Sequence, residues 1–180
     1  MIFTYDTDMT LMHAAALVNT GPALGSEHRE DLPDVAALVE WMHGWQWTGR
    51  HPSTEAEAHR GQTNPPIWGL PEDDLVDATN ALLREGRALP QLVRHGDFDW
   101  HIHATPDDAP IADRIAVEVG MALVDVIRAG AIDRLKVCAG DDCDDLIIDL
   151  SKNRSRKFCD GTCGTRANVA AYRARKAADT

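Results

Sequence analysis

The chain has 180 residues, of which 44% are hydrophobic and 26% are charged. This length and composition are typical of a globular protein of about one domain with a small appendage, and they exclude a disordered or collagen-like chain. No segment reaches the ~18 uninterrupted apolar residues of a membrane span. The first residues, Met1 to Asp6, lack the basic start and apolar run of a secretory signal. We therefore expect a cytoplasmic protein with no membrane partner.

Charge is distributed unevenly along the chain. The formal net charge is −11, which by itself argues against nucleic acid as a partner. Residues 1–150 contain 10 Lys and Arg against 27 Asp and Glu, whereas residues 151–176 contain eight basic residues and one acid, Asp160. The sequence therefore predicts an acidic body that carries a basic contact surface near its carboxyl end.

Four stretches in the first 130 residues have the apolar spacing of amphipathic helices. They are residues 9–19, residues 32–42 with Asp31 as N-cap and Gly44 as the end, residues 71–93 with a kink near Gly86 or Pro90, and residues 110–129 followed by Gly130. The connector between the second and third helices, residues 49–71, is rich in turn-forming residues and has room for one helical turn at 54–59. These patterns predict a mainly helical body.

Extended structure is predicted at three places. Residues 98–105 alternate polar and apolar side chains with period two, as a strand or hairpin arm does. Residues 135–137 and 146–148 form two short apolar runs on either side of a cysteine pair. From Cys159 to Lys176 the composition favours a final helix, with Ala167, Val169, Ala170, Ala171 and Ala174 predicted to form its packing side.

All four cysteines lie in the last 43 residues, at Cys138, Cys143, Cys159 and Cys163. Such a local cluster in a cytosolic chain favours a metal site over a disulfide framework, and four thiolates suit tetrahedral Zn²⁺. A complex of four thiolates and zinc has a net charge of −2, which Lys136, Lys152 or Lys157 could offset. Four sulfur ligands leave no open position, so the predicted zinc is structural. Four free or redox-active thiols are the alternative.

The predicted fold is mainly α with a short β-hairpin. A helical domain, residues 1–134, precedes a small treble-clef-like zinc finger, residues 135–180. The finger has too few large apolar side chains to fold without a staple, and zinc would supply the missing stability.

The cysteine-rich segment resembles that of a known family. The finger resembles the CGNR-type zinc finger, which is named for a Cys-Gly-Asn-Arg signature at the start of its last helix. The matching residues are Cys138-Ala-Gly-Asp-Asp-Cys143, Asp149, Ser151-Lys-Asn-Arg-Ser-Arg156, Phe158-Cys159 and Cys163-Gly164-Thr165-Arg166. Thr165 stands where that family has Asn.

The helical body is similar to the ABATE domain that commonly precedes this finger. The similarity lies in Leu17-Val18-Asn19-Thr20 and in Leu82-Leu83-Arg84-Glu85-Gly86-Arg87-Ala88-Leu89. Pro90 departs from the family by interrupting a helix that is unbroken in relatives. The resemblance implies a transcription regulator of the stress-induced type.

The basic segment supplies candidate nucleic-acid contacts. Arg reads guanine and Asn reads adenine in the major groove, and a basic loop can hold phosphates. The candidates are Lys152, Arg154, Arg156 and Lys157 in the loop and Arg166, Asn168, Tyr172, Arg173, Arg175 and Lys176 on the last helix. DNA is the predicted partner, with RNA as a weaker alternative. The rival hypothesis is a protein-interaction module in which the basic face meets an acidic partner or the body itself.

Histidines and tryptophans of the body are further candidates for a functional site. His101 and His103 lie on the same side of the predicted strand, near Asp97 and Asp99. They could form a metal or acid–base site, for which the sequence offers no definite third ligand. Trp41, Trp45, Trp47, Trp68 and Trp100 predict either core packing or an aromatic-lined ligand pocket. Since we find no phosphate loop, nucleophile elbow or HExxH motif, the hypothesis is a non-enzymatic regulator whose body senses a small-molecule effector or forms a homodimer.

Overall fold

The computed structural model describes residues 2–21, 31–45, 51–52, 67–94 and 99–178. Over these ranges the chain forms five α-helices and two antiparallel hairpins of two strands each. The prediction of a mainly helical protein with a carboxyl-terminal cysteine cluster is confirmed. The predicted helical turn at 54–59 and Trp47 lie outside the described residues. Among those residues, we find no helix with the length and apolarity needed to traverse a bilayer.

The first two helices begin at side-chain caps. Helix α1 spans Tyr5–Val18 after Thr4, and helix α2 spans Val35–Gly44. Asp34 caps α2, because its Oδ1 accepts a hydrogen bond of 2.8 Å from the backbone of Ala37. The prediction of Asp31 as N-cap is therefore wrong by three residues. The acid nearest the helix satisfies an N–H group that has no partner within the helix.

The third helix is shorter than the sequence predicts. Helix α3 spans Glu72–Glu85 and ends at Gly86, whereas the prediction continued it to Val93. Arg87 then adopts a left-handed backbone with φ 53°, and Pro90 cannot donate a helical hydrogen bond. Strand β1, Gln91–Val93, follows instead and pairs with β2, His101–His103, so that Gln91 faces His103.

The longest apolar stripe forms helix α4, Ile111–Arg128, as predicted. Helices α1 and α3 both pack on α4. The core between them includes Leu11, Leu75, Ile115 and Leu123, all nearly or fully buried. Gly130 ends this region in the left-handed conformation, with φ 57°, as expected for a glycine just beyond a helix.

The second hairpin connects the body to the cysteine cluster. Strands β3, Leu135–Val137, and β4, Leu146–Ile148, coincide with the predicted residues and pair with Leu135 opposite Ile148. Leu135, Leu146 and Ile148 pack in the core of the body. Ile147 points the other way, into a small cluster with three of the cysteines. Because side chains alternate along a strand, one face of β4 packs on the body and the other packs on the cysteine cluster.

Helix α5, Gly161–Ala178, begins inside the finger and extends beyond it. Every residue from Asn168 to Ala178 is exposed, including Val169 at 42% and Tyr172 at 60%. The prediction that Val169, Ala170, Ala171 and Ala174 form a packing side is therefore wrong; Ala167 alone of the predicted set is half-buried. Small apolar residues at helical spacing indicate a helix, but they do not show that another element covers it.

Candidate metal centre and nucleic-acid interface

The four cysteine sulfurs converge on one point. All four lie within 4.8 Å of one another. The sulfur of Cys159 is 3.7 Å from that of Cys143 and 3.6 Å from that of Cys163. With Zn–S bonds of about 2.3 Å, the edge of a regular tetrahedron is about 3.8 Å, whereas a disulfide needs about 2.05 Å. The spacing fits a shared metal ion and excludes disulfides.

Turn and helix geometry bring the two cysteine pairs together. Cys138 and Cys143 flank a turn in which Gly140 leaves room for the sulfurs: a Cβ there would lie 3.3 Å from Cβ of Cys143 and 3.4 Å from Sγ of Cys163. Cys159 precedes α5 and donates its backbone N–H to the sulfur of Cys138, at 3.3 Å. Asp160 Oδ1 accepts from the backbone of Cys163, at 2.9 Å, and so caps the helix that carries the fourth ligand.

The thiols need a cation in order to ionise together. Burial raises the pKa of Cys143 to about 12 and also raises the pKa of Cys159. Burial acts in the same direction on Cys138, but backbone N–H groups of Cys159 and Gly140 outweigh it and lower the pKa of that thiol. A divalent ion between the sulfurs favours the thiolate form of all four, since metal binding displaces their protons.

The comparisons with known proteins agree with this geometry. The family model described as "Putative stress-induced transcription regulator", ABATE, matches residues 13–130. The chain belongs to the ABATE family. The model described as CGNR zinc finger matches residues 134–176. A search of the curated proteins finds no match.

In this ABATE-family chain, the CGNR finger and its four cysteines form a Zn²⁺ site. Cys138, Cys143, Cys159 and Cys163 supply the sulfur ligands, and the ion would hold the Cys138–Cys143 turn against the start of α5. Because four ligands complete a tetrahedron, the site suits a structural ion. Neither matched family is an enzyme family.

Arg166 supplies a cation beside the sulfurs. Its guanidinium donates to Sγ of Cys163 at 3.1 Å, which offsets part of the negative charge of a zinc–thiolate centre. The sequence predicts Lys136, Lys152 or Lys157 for this purpose. Lys136 instead forms an ion pair of 2.5 Å with Asp149. The arginine of the Cys163-Gly164-Thr165-Arg166 segment therefore contacts the metal centre.

A buried carboxylate organises the loop between β4 and the second cysteine pair. Asp149 is fully buried, and its oxygens accept hydrogen bonds from Lys136 Nζ, from the backbone and hydroxyl of Ser151, and from the backbone of Arg156. Burial alone would raise the pKa of Asp149, but these donors hold it well below its usual range. Lys136 Nζ also donates to the carbonyls of Arg154 and Arg156, at 2.8 and 3.2 Å. The ion pair between Lys136 and Asp149 thus holds the basic loop, Ser151–Lys157, in place.

Three of the ten predicted nucleic-acid contacts form hydrogen bonds or ion pairs with other groups of the protein. Arg166 contacts Cys163, as described. Arg154 forms an ion pair of 2.6 Å with Asp133. Arg156 donates to the carbonyls of Phe158 and Cys159, at 3.2 and 2.6 Å. These side chains are exposed, but they stabilise the loop and the metal centre.

The other seven predicted contacts are exposed and divide between loop and helix. They are Lys152, Lys157, Asn168, Tyr172, Arg173, Arg175 and Lys176. Tyr172 follows Cys163 by nine residues, which is two and a half helical turns, so the two lie on opposite sides of α5. Asn168, Arg175 and Lys176 flank Tyr172 at helical spacing. The polar face of α5 therefore points away from the zinc centre, while Arg173 lies to one side of that face.

The finger also has an acidic side. The turn between the first two cysteines contains Asp141 and Asp142, and Asp144 and Asp145 follow it. The first three of these acids are exposed. The negative charge of this turn would repel a polyanion.

Two side chains of the body form hydrogen bonds with backbone groups of strand β4. Asn19, just after α1, accepts from the backbone N–H of Leu146 at 2.7 Å and donates to its carbonyl at 2.9 Å. Trp68 Nε1 donates to the carbonyl of Ile147 at 3.1 Å. Asn19 belongs to the Leu17–Thr20 segment that resembles the ABATE domain, and the structure gives it a physical role: it fixes β4 to the end of α1.

We expect Asn19→Ala to loosen this joint. The substitution removes both hydrogen bonds and leaves a buried backbone N–H without that partner, at a cost of about 1–3 kcal/mol in the free energy of unfolding. Hydrogen exchange at the amides of β4 should accelerate. The matched control is Asn80→Ala on the exposed face of α3, expected to change stability by less than about 0.5 kcal/mol. Equal effects of the two substitutions would contradict a joint at Asn19.

The described tryptophans do not converge on one pocket. Trp68 is buried under the finger hairpin. Trp41 and Trp45 lie with ring centroids 5.9 Å apart, and Trp45 also contacts His13. Trp100 is exposed and lies beneath Arg94. Core packing accounts for Trp68, and the pocket stays a prediction.

Proposed function

We propose that this protein is a zinc-dependent, DNA-binding transcriptional regulator in which α5 and the Ser151–Lys157 loop contact DNA. The observation that carries this proposal is the outer half of α5: residues Asn168 to Ala178 form three exposed helical turns that end with Arg173, Arg175 and Lys176. A helix of this length is marginal in water without tertiary contacts. The zinc centre starts the helix, and a partner surface would stabilise the rest of it.

DNA fits the shape and charge of this surface. An α-helix with its side chains is about 10–12 Å across, and the major groove is about 12 Å wide. Asn168 and Arg175 lie on the outward face and are suited to base edges, while Lys152 and Lys157 would contact phosphates. The acidic turn at Asp141–Asp145 would face away from the duplex.

The acidic body limits how the DNA approaches. Residues 1–150 carry a large excess of acids, which repels a polyanion, but screening at physiological salt reduces interactions beyond about 8 Å. The exposed end of α5 would keep the duplex at a distance from the body. A homodimer would double the basic surface, and the proposed role of the helical body is to dimerise or to sense a small-molecule effector. In this proposal the protein is cytoplasmic and has no catalytic role.

Fluorescence anisotropy with mixed-sequence DNA at several salt concentrations tests the proposal. Five exposed cations, Lys152, Lys157, Arg173, Arg175 and Lys176, predict a slope of log K against log salt of about −4.5. Replacing Arg173 and Arg175 by Ala should lower affinity about 10- to 100-fold and make the slope less steep by about 2. The matched control is Arg84→Ala with Arg128→Ala, which removes two exposed charges from the body.

A second candidate function is a protein-interaction module with a structural zinc finger and no DNA binding. The exposure of Val169 and Tyr172 on α5 favours it, since apolar side chains at the surface suit a protein partner. Intact, zinc-loaded protein that does not bind DNA at low salt would overturn the first proposal and support the second. A slope near zero, or equal losses in the two double variants, would also contradict DNA contact through α5.

A further inference from the structure

We propose that Asp133 of the helical body competes with DNA phosphate for Arg154, so that the free protein blocks one of its own phosphate-binding side chains. One Nη atom of Arg154 donates to Oδ1 of Asp133 at 2.6 Å. A guanidinium binds a carboxylate and a phosphate through the same N–H groups. This inference rests on the proposed DNA contact of the Ser151–Lys157 loop, to which Arg154 would add a further cation.

The ion pair between Asp133 and Arg154 is open to exchange. The side chain of Arg154 is 44% exposed and that of Asp133 is 54% exposed, so a phosphate can approach the guanidinium from solvent. Ion pairs at the surface contribute little to stability, and this one can therefore open at small cost. The ion pair of Lys136 differs, because its carboxylate, on Asp149, is fully buried.

The backbone of the loop is held by contacts that do not involve the side chains of this ion pair. Lys136 Nζ donates to the carbonyl of Arg154 at 2.8 Å, and the N–H of Arg154 donates to the carbonyl of Ser151 at 3.3 Å. The buried guanidinium of Arg134 donates to the carbonyls of Asp149 and Ser151, at 2.6 and 3.0 Å. The loop therefore keeps its shape when Asp133 is displaced, and Arg154 stays at the surface.

The backbone of Arg154 indicates that its side chain has a further use. This residue adopts the left-handed conformation, with φ 52°, which glycine and asparagine adopt at lower cost than arginine. An exposed ion pair is too weak to offset the strain of such a backbone. A cation at this position therefore favours a stronger contact than Asp133 provides. Lys152 and Lys157 are exposed in the same loop, and together with Arg154 they suit a phosphate backbone.

Asp133 is a charged competitor at neutral pH. The hydrogen bond from Arg154 lowers the pKa of Asp133 below its usual range, so the carboxylate is ionised under physiological conditions. The guanidinium keeps its charge at any pH at which proteins are folded. Two anions thus compete for one cation, and the phosphate must displace the carboxylate before Arg154 can bind DNA.

Fluorescence anisotropy with mixed-sequence DNA, at several salt concentrations, tests this inference in the zinc-loaded protein. Asp133→Asn should bind about 2- to 5-fold more tightly than the wild type, which is the effect of releasing one exposed ion pair. The slope of log K against log salt should steepen by about 0.9 for the additional phosphate contact.

Two comparisons separate competition for Arg154 from a general loss of negative charge. Asp144→Asn removes an exposed acid from the finger and should change affinity by less than about 1.5-fold at physiological salt, because screening weakens distant charges. When Arg154 is replaced by Ala, Asp133→Asn should give no larger gain than Asp144→Asn does, since the cation that it releases is absent.

The outcomes distinguish this inference from the proposed function. Wild-type protein that binds no DNA overturns both. If the wild type binds DNA, the competition alone is contradicted by an unchanged or weaker affinity of Asp133→Asn, or by a gain that persists in the Arg154→Ala background. Zinc content and circular dichroism of each variant establish that the finger has kept its fold.

Discussion

Removing the zinc is expected to unfold the finger while the helical body stays folded. The finger's own apolar cluster contains, in the described residues, only Ile147 and Phe158 besides the four cysteines. These side chains are too few to hold α5 in place. Structural zinc contributes roughly 10–16 kcal/mol in isolated finger peptides at neutral pH, so no other interaction in this segment can replace it.

This unfolding should leave strands β3 and β4 in place. Leu135, Leu146 and Ile148 pack in the body, and Asn19 holds β4 from the other side. These contacts do not involve the metal. Amide exchange should therefore rise to the unfolded rate in α5 after chelation, whereas β3, β4 and Asp149, whose N–H donates to the carbonyl of Arg134, retain partial protection.

Tryptophan fluorescence separates the two parts of the chain. All five tryptophans precede residue 101, so their emission reports on the body and, through Trp68, on strand β4. Far-ultraviolet circular dichroism reports the loss of α5. Cys143→Ser should reproduce the effect of the chelator, and Asp144→Asn, which changes the exposed neighbouring residue, should not. A metal-free protein with an intact α5, or a body that unfolds together with the finger, would contradict this account.

The metal centre could be predicted from sequence because its determinants are local. Cysteine spacing, a turn-forming tetrapeptide and two short apolar runs specify the ligands and both strands of the finger, and β3 and β4 coincide with the predicted residues. Four thiolate ligands then favour an ion with tetrahedral coordination, such as Zn²⁺. None of these steps requires knowledge of how distant segments pack.

The predictions that failed needed long-range information. Leu92 and Val93 have apolar spacing that continues α3, but the pairing of Gln91–Val93 with His101–His103 makes this segment a strand. The alanines of α5 indicate a helix without indicating whether anything covers it. The joint at Asn19 and the ion pair between Lys136 and Asp149 connect residues 127 and 13 positions apart. The only sequence signals for that ion pair were a lysine within an apolar strand and an acid directly after one.

Asp149→Asn is expected to release the basic loop while the zinc stays bound. The substitution keeps the shape of the side chain but removes the charge that pairs with Lys136. It also places an amide N–H₂, which can only donate, next to N–H and O–H groups that need an acceptor. Breaking one half of a buried ion pair costs about 3–5 kcal/mol. Because Lys136 retains its contacts with the carbonyls of Arg154 and Arg156, we expect a loss near 3 kcal/mol in the free energy of unfolding of the finger.

Amide exchange, metal content and a double-mutant cycle with Lys136→Met together test the effect of Asp149→Asn. Exchange should accelerate at Ser151 and Arg156, whose N–H groups donate to this carboxylate, and the protein should still contain one zinc in the finger. The coupling energy with Lys136→Met should exceed about 1 kcal/mol, as expected for residues in direct contact. If Asp149→Asn alters stability no more than Asp144→Asn does, the ion pair does not organise the loop. If zinc is lost as well, loop and metal centre form a single cooperative unit, and the exposed lysines Lys152 and Lys157 depend on the metal for their positions.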